Sequence, residues 1–273
     1  MQDKFIVNVC LSGVVPSKKA NPHLPVNAQE IQKDVESCVA QGASIVHIHA
    51  RNEEGEPTWV TKYYQEILEG IRRVSRDIVI CVSTSGRVYH QLEQRVACLD
   101  AVPRPDMASL TMGSINFATE AVMNEPQAIS DLAHAMHRSG IKPEIEIFDI
   151  GMARTTSRLM ETGLLHPPVY ANIILGNVAT ADVSLLDLAA ILQHLPKEVV
   201  WCVGGIGKCQ LKANTLGILF GKGVRVGLED NLYLDDAKTP ATNAALVERV
   251  VHLGRLLGKT PASISETREC LGL

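Results

Sequence analysis

Several short strings in this 273-residue sequence place groups that can bind a metal ion or move a proton at the spacing of a β-strand. His47-Ile48-His49 is the first. Strand side chains alternate, so its two imidazoles share one face about 6–7 Å apart, which suits adjacent ligands of one metal ion. A hydrogen-bonded pair of core histidines is the plain alternative. Glu229, at the end of a later strand, is the best third ligand. Two histidines and one glutamate leave a position open for water or substrate, as a catalytic zinc site requires, although iron or manganese accepts the same set. Arg225 shares the face of Glu229, and Asp230 follows directly. A buried arginine needs a carboxylate. Arg225 therefore bridges loops, tunes Asp230 as a base, or meets a substrate carboxylate in bidentate fashion.

Glu144 and Glu146 also share one face. One can orient a metal-binding histidine while the other meets substrate, and the substrate contact is assigned to Glu144. A salt bridge to Arg51 or Arg154 accounts for either alone. Ser83-Thr84-Ser85-Gly86 and Thr111-Met112-Gly113-Ser114 suit close approach of a carboxylate or carbonyl, as they also suit ordinary turns. Gly204-Gly205-Ile206-Gly207 opens a helix and is a candidate phosphate cradle. The other histidines fall in loops or on helices and carry no functional weight.

These groups need elements to hold them. β-Branched runs at 5–12, 44–50, 78–83, 107–112, 144–148, 169–176, 199–204 and 224–229 read as strands. Between them, apolar residues recur at helical spacing, most clearly at 28–41, 62–74, 126–139, 185–195, 208–220 and 241–257. Gly42 and Gly140 stop helices, and Ser184 can cap one. Eight strand–helix pairs imply a parallel sheet, and about 250 residues suffice for a single (β/α)8 TIM barrel. No Gly-x-Gly-x-x-Gly follows the first strand, which argues against the open dinucleotide-binding alternative. One α/β domain over 1–273 is expected. Strand parity sorts Val7, Val9, Leu11, Val46, Ile48, Ile145 and Ile147 under the helices. It turns Asn8, His47, His49, Ser109, Glu144, Glu146 and Arg225 inward, where a structural barrel would place aliphatic residues.

Composition narrows the function classes. With 46% hydrophobic residues the chain can build a core, and 26 basic against 30 acidic residues, without a basic block, exclude nucleic acid as a partner. Nothing approaches the roughly 18 apolar residues of a membrane span. Met1-Gln2-Asp3-Lys4 lacks a signal peptide's layout, so a soluble cytoplasmic protein is expected. Seven scattered cysteines without Cys-x-x-Cys argue against a disulfide framework; Cys10, Cys81 and Cys202 read as buried reduced thiols.

Nearly end to end, the sequence resembles the β-keto acid cleavage enzymes, the group typified by 3-keto-5-aminohexanoate cleavage enzyme. The strings that carry the resemblance are Asn21-Pro22-His23-Leu24-Pro25-Val26, Gly42-Ala43-Ser44-Ile45-Val46-His47-Ile48-His49-Ala50-Arg51, Ala108-Ser109-Leu110-Thr111-Met112-Gly113-Ser114-Ile115-Asn116-Phe117, Pro143-Glu144-Ile145-Glu146-Ile147-Phe148-Asp149 and Val224-Arg225-Val226-Gly227-Leu228-Glu229-Asp230-Asn231-Leu232. The resemblance implies a zinc-dependent barrel that condenses a β-keto acid with acetyl-CoA and releases acetoacetate and a new acyl-CoA. It implies zinc on His47, His49 and Glu229. It further implies deprotonation by Ser83, Arg225 and Asp230, with Ser83, Gly86 and Thr111 touching substrate. A homo-oligomer, such as a tetramer, is expected. A metal-dependent aldolase of the same shape, acting without acetyl-CoA, is the rival.

One departure bears on specificity. The amino-keto acid enzyme looks to carry a glutamate in the loop after strand one, able to hold an ammonium. Here that loop reads Gly13-Val14-Val15-Pro16, so the substrate tail is expected to be uncharged, and a glutamate at Val15 to favour amino-bearing substrates.

Overall fold

The computed structural model describes residues 3–273, so Met1 and Gln2 of the N-terminal string lie outside the described residues. Eight parallel strands follow in chain order: β1 (Lys4–Cys10), β2 (Ile45–Ile48), β3 (Val79–Val82), β4 (Met107–Thr111), β5 (Lys142–Ile147), β6 (Val169–Leu175), β7 (Val199–Gly205) and β8 (Gly223–Val226). Each pairs with the next, and β8 pairs back onto β1 with Asn8 opposite Arg225, closing the barrel. The helices are α1 (Ala28–Gln41), α2 (Thr61–Val74), α3 (Leu92–Val96), α4 (Pro126–Ser139), α5 (Ile150–Glu161), α6 (Leu185–Gln193), α7 (Gln210–Phe220), α8 (Asn243–Leu256) and α9 (Ile264–Leu271). The fold is the expected (β/α)8 TIM barrel. Among the described residues, no helix is long and apolar enough to cross a membrane.

Local chemistry explains most boundaries. Asn27 caps α1 by accepting from the Glu30 N–H, and Gly42 ends it in the left-handed region at φ 110°. Ser184 caps α6 as expected, and Asp149 and Thr242 cap α5 and α8. The clear helical stretches omitted α3, α5 and α9. α3 has five residues, too few to show a period. α5 carries a glycine, two threonines and a serine, poor helix formers whose cost is offset by the Asp149 cap and by burial of Met152, Ala153 and Thr156. α9 is short but held by a capping box between Ser263 and Glu266.

Two apolar layers follow from strand parity. The larger lies between sheet and helices and includes Val7, Val9, Leu11, Val46, Ile48, Ile145 and Ile147. The smaller fills the bottom of the barrel with Ile6, Ile45, Val79, Met107, Tyr170 and Cys202, capped by Leu271 of α9. The interior is therefore not polar throughout: its lower layer is packed, and polar groups occupy the upper end near the strands' C-termini.

Strand eight ends earlier than the run 224–229 suggests. Gly227 sits at φ 143°, and a Cβ there would lie 2.2 Å from the Cys10 carbonyl oxygen. Only glycine permits that approach, and it turns the chain so that the Glu229 N–H reaches the same carbonyl at 3.2 Å. Gly227→Ala should cost about 2 kcal/mol or more from overpacking and a disfavoured φ. Thermal melts and bound-metal assays should show both stability and metal retention falling; an unchanged melt with full metal binding would contradict this reading of the turn.

Candidate active site

His47 lies on β2 and His49 just past its end, with ring centroids 5.3 Å apart. Glu229 comes from the turn after β8. Its Oε1 lies 3.4 Å from His49 Nε2 and its Oε2 3.9 Å from His47 Nε2. One ligand atom from each of the three lies within 4.8 Å of the others. His49 Nε2 and Glu229 Oε2 are buried without a hydrogen-bond partner, a costly state that a divalent cation would relieve, so the donor set fits a metal ion. His47, Cys81 and Glu144 form a second such group. There burial, and then the nearby Glu144 and Glu146 carboxylates, push the Cys81 thiol well up, which disfavours a thiolate ligand. All seven cysteines are free, and Cys10, Cys81 and Cys202 are buried.

Glu144 is not the substrate contact that the sequence suggests. It is 0% exposed and lies under the histidine, its Oε1 2.8 Å from His47 Nδ1 and its Oε2 accepting from Asn8 Nδ2 at 2.9 Å. That bond fixes the ring and turns Nε2 toward Glu229, the usual task of a carboxylate behind a ligand histidine. Glu146, two residues along, is the carboxylate nearer the mouth, where it accepts from Thr111 Oγ1 at 2.6 Å. Burial alone would lower the His47 pKa, but Glu229 and Glu144 outweigh it and raise it to about 9.

Arg225 binds carboxylates with every nitrogen. Nε donates to Asp230 Oδ2 at 2.9 Å, Nη1 to Glu146 Oε1 at 2.8 Å and Nη2 to Glu229 Oε1 at 2.8 Å. It is only 2% exposed, and no side remains free for a bidentate grip on a substrate carboxylate. Neither Arg51 nor Arg154 pairs with Glu144 or Glu146. Arg51 instead ties the loop after β1, donating to the carbonyls of Gly13 and Pro16 at 2.8 Å each. Burial raises the Asp230 pKa, Arg225 opposes this, and Glu229 adds to it; the net shift is upward. Burial also pushes Glu229 up, yet His49, His47 and Arg225 hold it well below the ordinary carboxylate range.

Ser83, just past β3, lines a cavity of about 30 Å³ together with His49, Thr84, Ser85, Trp59 and Arg95. The Ser83 Oγ accepts from the Ser85 N–H at 3.2 Å, leaving its own hydroxyl proton to donate elsewhere. Gly86 ends the same turn, buried against Arg95. The phosphate cradle does not form. Gly204 and Gly205 belong to β7, and the N–H groups of Ile206 and Gly207 are bound to the carbonyls of Leu175 and Asp230.

Several positioning residues carry no motif of their own. Asn243, 0% exposed at the start of α8, accepts from the Leu228 N–H and donates to Leu11 O and Asp34, which pins the turn that carries Glu229. Asn8 supports Glu144 from below and is itself tied to the Tyr170 hydroxyl at 3.2 Å.

Glu144→Gln keeps the shape but weakens the anchor of His47. Metal affinity, measured by chelator competition, should fall about 10–100-fold; unchanged affinity would contradict a supporting role. In the metal-free protein His47 is protonated across neutral pH. Its raised pKa gives stability that is fully present below about 6.5 and lost as pH rises through about 9. A metal ion must displace that proton. Affinity should therefore rise about tenfold per pH unit up to pH 9, with proton release seen by calorimetry in buffers of different ionisation enthalpy. Flat affinity across this range would contradict it.

Comparisons with known proteins address the family of the chain. Residues 4–273 match the model of the beta-keto acid cleavage enzyme family. The chain is 34% identical over 274 residues to 3-keto-5-aminohexanoate cleavage enzyme of Fusobacterium nucleatum, covering 100% of this chain and 99% of that protein. It is also 34% identical over 276 residues to 3-oxoadipate:acetyl-CoA acetyltransferase of Cupriavidus necator, covering 100% and 96%. Among solved structures, ObcA in a ternary complex with a C4-CoA adduct and oxalate superposes with a TM-score of 0.80 at 20% identity, over 92% of this chain and 68% of that one, a likeness of fold. The chain thus belongs to the β-keto acid cleavage enzyme family.

Proposed function

We propose that this protein is a zinc-dependent β-keto acid cleavage enzyme acting as one catalytic domain over 1–273. It takes a 3-oxo acid with an uncharged tail and acetyl-CoA, and yields acetoacetate and the acyl-CoA of the tail. The observation that carries this reading is the open His47–His49–Glu229 group beside an Asp230 held by Arg225. The relatives support it, since one is a keto acid cleavage enzyme and another an acetyltransferase between a 3-oxo acid and acetyl-CoA.

His47, His49 and Glu229 would hold the metal, which when bound would supply a Lewis acid to polarise a keto oxygen and lower the barrier to enolate formation. Asp230 takes the α-proton; burial makes it a stronger base than an exposed aspartate, and Arg225 fixes its orientation. Ser83, Gly86 and Thr111 hold the acid in place, Ser83 through its free hydroxyl proton. The enolate carbon then bonds to the acetyl carbonyl carbon, and the thioester C–S bond breaks to release CoA thiolate. The thiolate adds to the tail's keto carbon; cleavage of the bond from that carbon to the original α-carbon leaves the acyl-CoA of the tail and an acetoacetate carbanion, which recovers the proton held by Asp230. No nucleophilic side chain is needed.

Val14 lines the cavity that holds His49, whereas Val15 beside it is 60% exposed. With Val88, Val14 forms an apolar wall that gives an ammonium no partner. Exposed Leu185 and Leu186 at the start of α6 supply the kind of apolar surface that subunits bury, which supports a homo-oligomer. Seven free cysteines fit a reducing compartment such as the cytoplasm.

Zinc-loaded protein should release acetoacetate from uncharged 3-oxo acids only when acetyl-CoA is present, and His49→Ala should lose at least about 100-fold in rate. Release without acetyl-CoA would instead indicate an aldolase-like reaction. A glutamate introduced at Val14 or at Val15 should raise the relative rate with amino-bearing acids; no gain at either position would contradict the uncharged-tail reading.

A further inference from the structure

Arg95, on α3, is 6% exposed and lies beside the cavity that holds His49 and Ser83. Its bonds go to neutral groups: Nε donates to the Thr84 carbonyl at 2.8 Å and Nη2 to Asn124 Oδ1 at 2.8 Å. Among the described residues no carboxylate pairs with it, and burial alone acts on its pKa, downward. Arg225 faces the opposite situation, with three carboxylates on one guanidinium. A buried cation left without an anion is expensive, so an anion is expected to complete the site when it is occupied.

The position of Arg95 says which anion. A Cβ on Gly86 would lie 3.0 Å from Nη1 and 3.2 Å from Cζ, so the guanidinium backs directly onto the Ser83–Gly86 turn. The turn is rigid. Thr84 is tied to Ser109 through its N–H at 3.1 Å and its hydroxyl at 2.6 Å, and the Ser83 carbonyl is turned away toward Tyr64 and Cys98. What the turn offers the cavity is the Ser83 hydroxyl, with a positive charge behind it.

Charge balance points the same way. Glu144, Glu146, Glu229 and Asp230 cluster around Arg225. Four carboxylates against Arg225 and a divalent cation leave one excess negative charge, which would repel a carboxylate ligand. Arg51 and Arg95, both buried and both without a carboxylate, turn that excess into a single positive charge, a match for a monoanionic keto acid. Arg51 is spent on the loop after β1, whereas Arg95 lies against the turn that faces the cavity.

We propose that Arg95 is a positioning residue for the keto acid's own carboxylate: it holds the Ser83–Gly86 turn and supplies, through it, the positive charge that selects an anionic ligand over a neutral one. This rests on the proposed reaction only for the identity of the ligand.

Zinc-loaded wild type, Arg95→Gln and Arg95→Lys would be titrated by calorimetry with acetoacetate and with its uncharged methyl ester, alongside thermal melts. Arg95→Gln should weaken acetoacetate by about tenfold or more while changing the ester by less than about twofold. Arg95→Lys, which keeps the charge, should retain the wild-type preference for the acid. In steady state the KM for the keto acid should rise while that for acetyl-CoA stays put. Equal weakening of both ligands, which a merely structural role would give, overturns the proposal. So does a wild type that does not prefer the acid, or a loss confined to acids with a second carboxylate in the tail. Should Arg95→Gln fail to fold, Arg95→Lys decides, because a preference lost with the charge retained is also contradictory. The titrations need neither acetyl-CoA nor turnover, so a preference that follows Arg95 in a protein without acyl transfer rejects the proposed reaction and upholds this inference.

Discussion

A guanidinium buried at the top of a barrel can be kept only by anions that neutralise it, and here Arg225 gathers three of them from two places in the chain. Glu146 comes from β5, and Glu229 and Asp230 from the turn after β8. Their mutual distances fix the mouth of the barrel. Removing Arg225 would leave Glu146, Glu229 and Asp230 crowded and unpaired. In the proposed reaction these surroundings would set the chemistry, because His49, His47 and Arg225 hold Glu229 in the ionised form that suits a ligand while burial makes Asp230 a stronger base. Two adjacent carboxylates thus acquire different tasks from their surroundings.

The rest of the fold serves that arrangement. The lower layer around Tyr170 and Met107 is apolar and capped by α9, so the polar groups stand on a packed floor. Glu144 rises from that floor to set the His47 ring, with Asn8 and Tyr170 beneath it. At the mouth, Gly227 lets the β8 turn approach Cys10, and Asn243 pins it from α8. Gly13, at φ 59°, is required for a related reason: a Cβ there would lie 2.8 Å from Glu229 Cγ.

Strand parity is what made so much of this legible in the sequence. Period-two alternation alone places His47, Glu144, Glu146 and Arg225 inside the barrel, and the structure brings them together. Parity does not say how deep a side chain sits, and for that reason Glu144 and Glu146 are exchanged between support and mouth. Depth depends on the stagger between neighbouring strands, which sets Ser109 against Glu144 and Glu144 against Tyr170. Arg95 and Asn243 are silent in the sequence for a different reason. Each lies on a helix, and its role comes from a carbonyl or N–H on a loop distant in the chain. The glycine run at the end of β7 misleads because N–H groups that could cradle a phosphate are equally able to close a turn onto Asp230.

The central claim is that the bond-making step joins the keto acid's α-carbon to the acetyl group of acetyl-CoA. Its most direct test supplies acetyl-CoA carrying carbon-13 in both acetyl carbons to the zinc-loaded enzyme with an unlabelled 3-oxo acid, and reads the products by NMR. The account predicts acetoacetate labelled at its keto carbon and methyl carbon, unlabelled at its carboxylate end, and an acyl-CoA without label. Unlabelled acetoacetate, or label found in the new acyl-CoA, would contradict it.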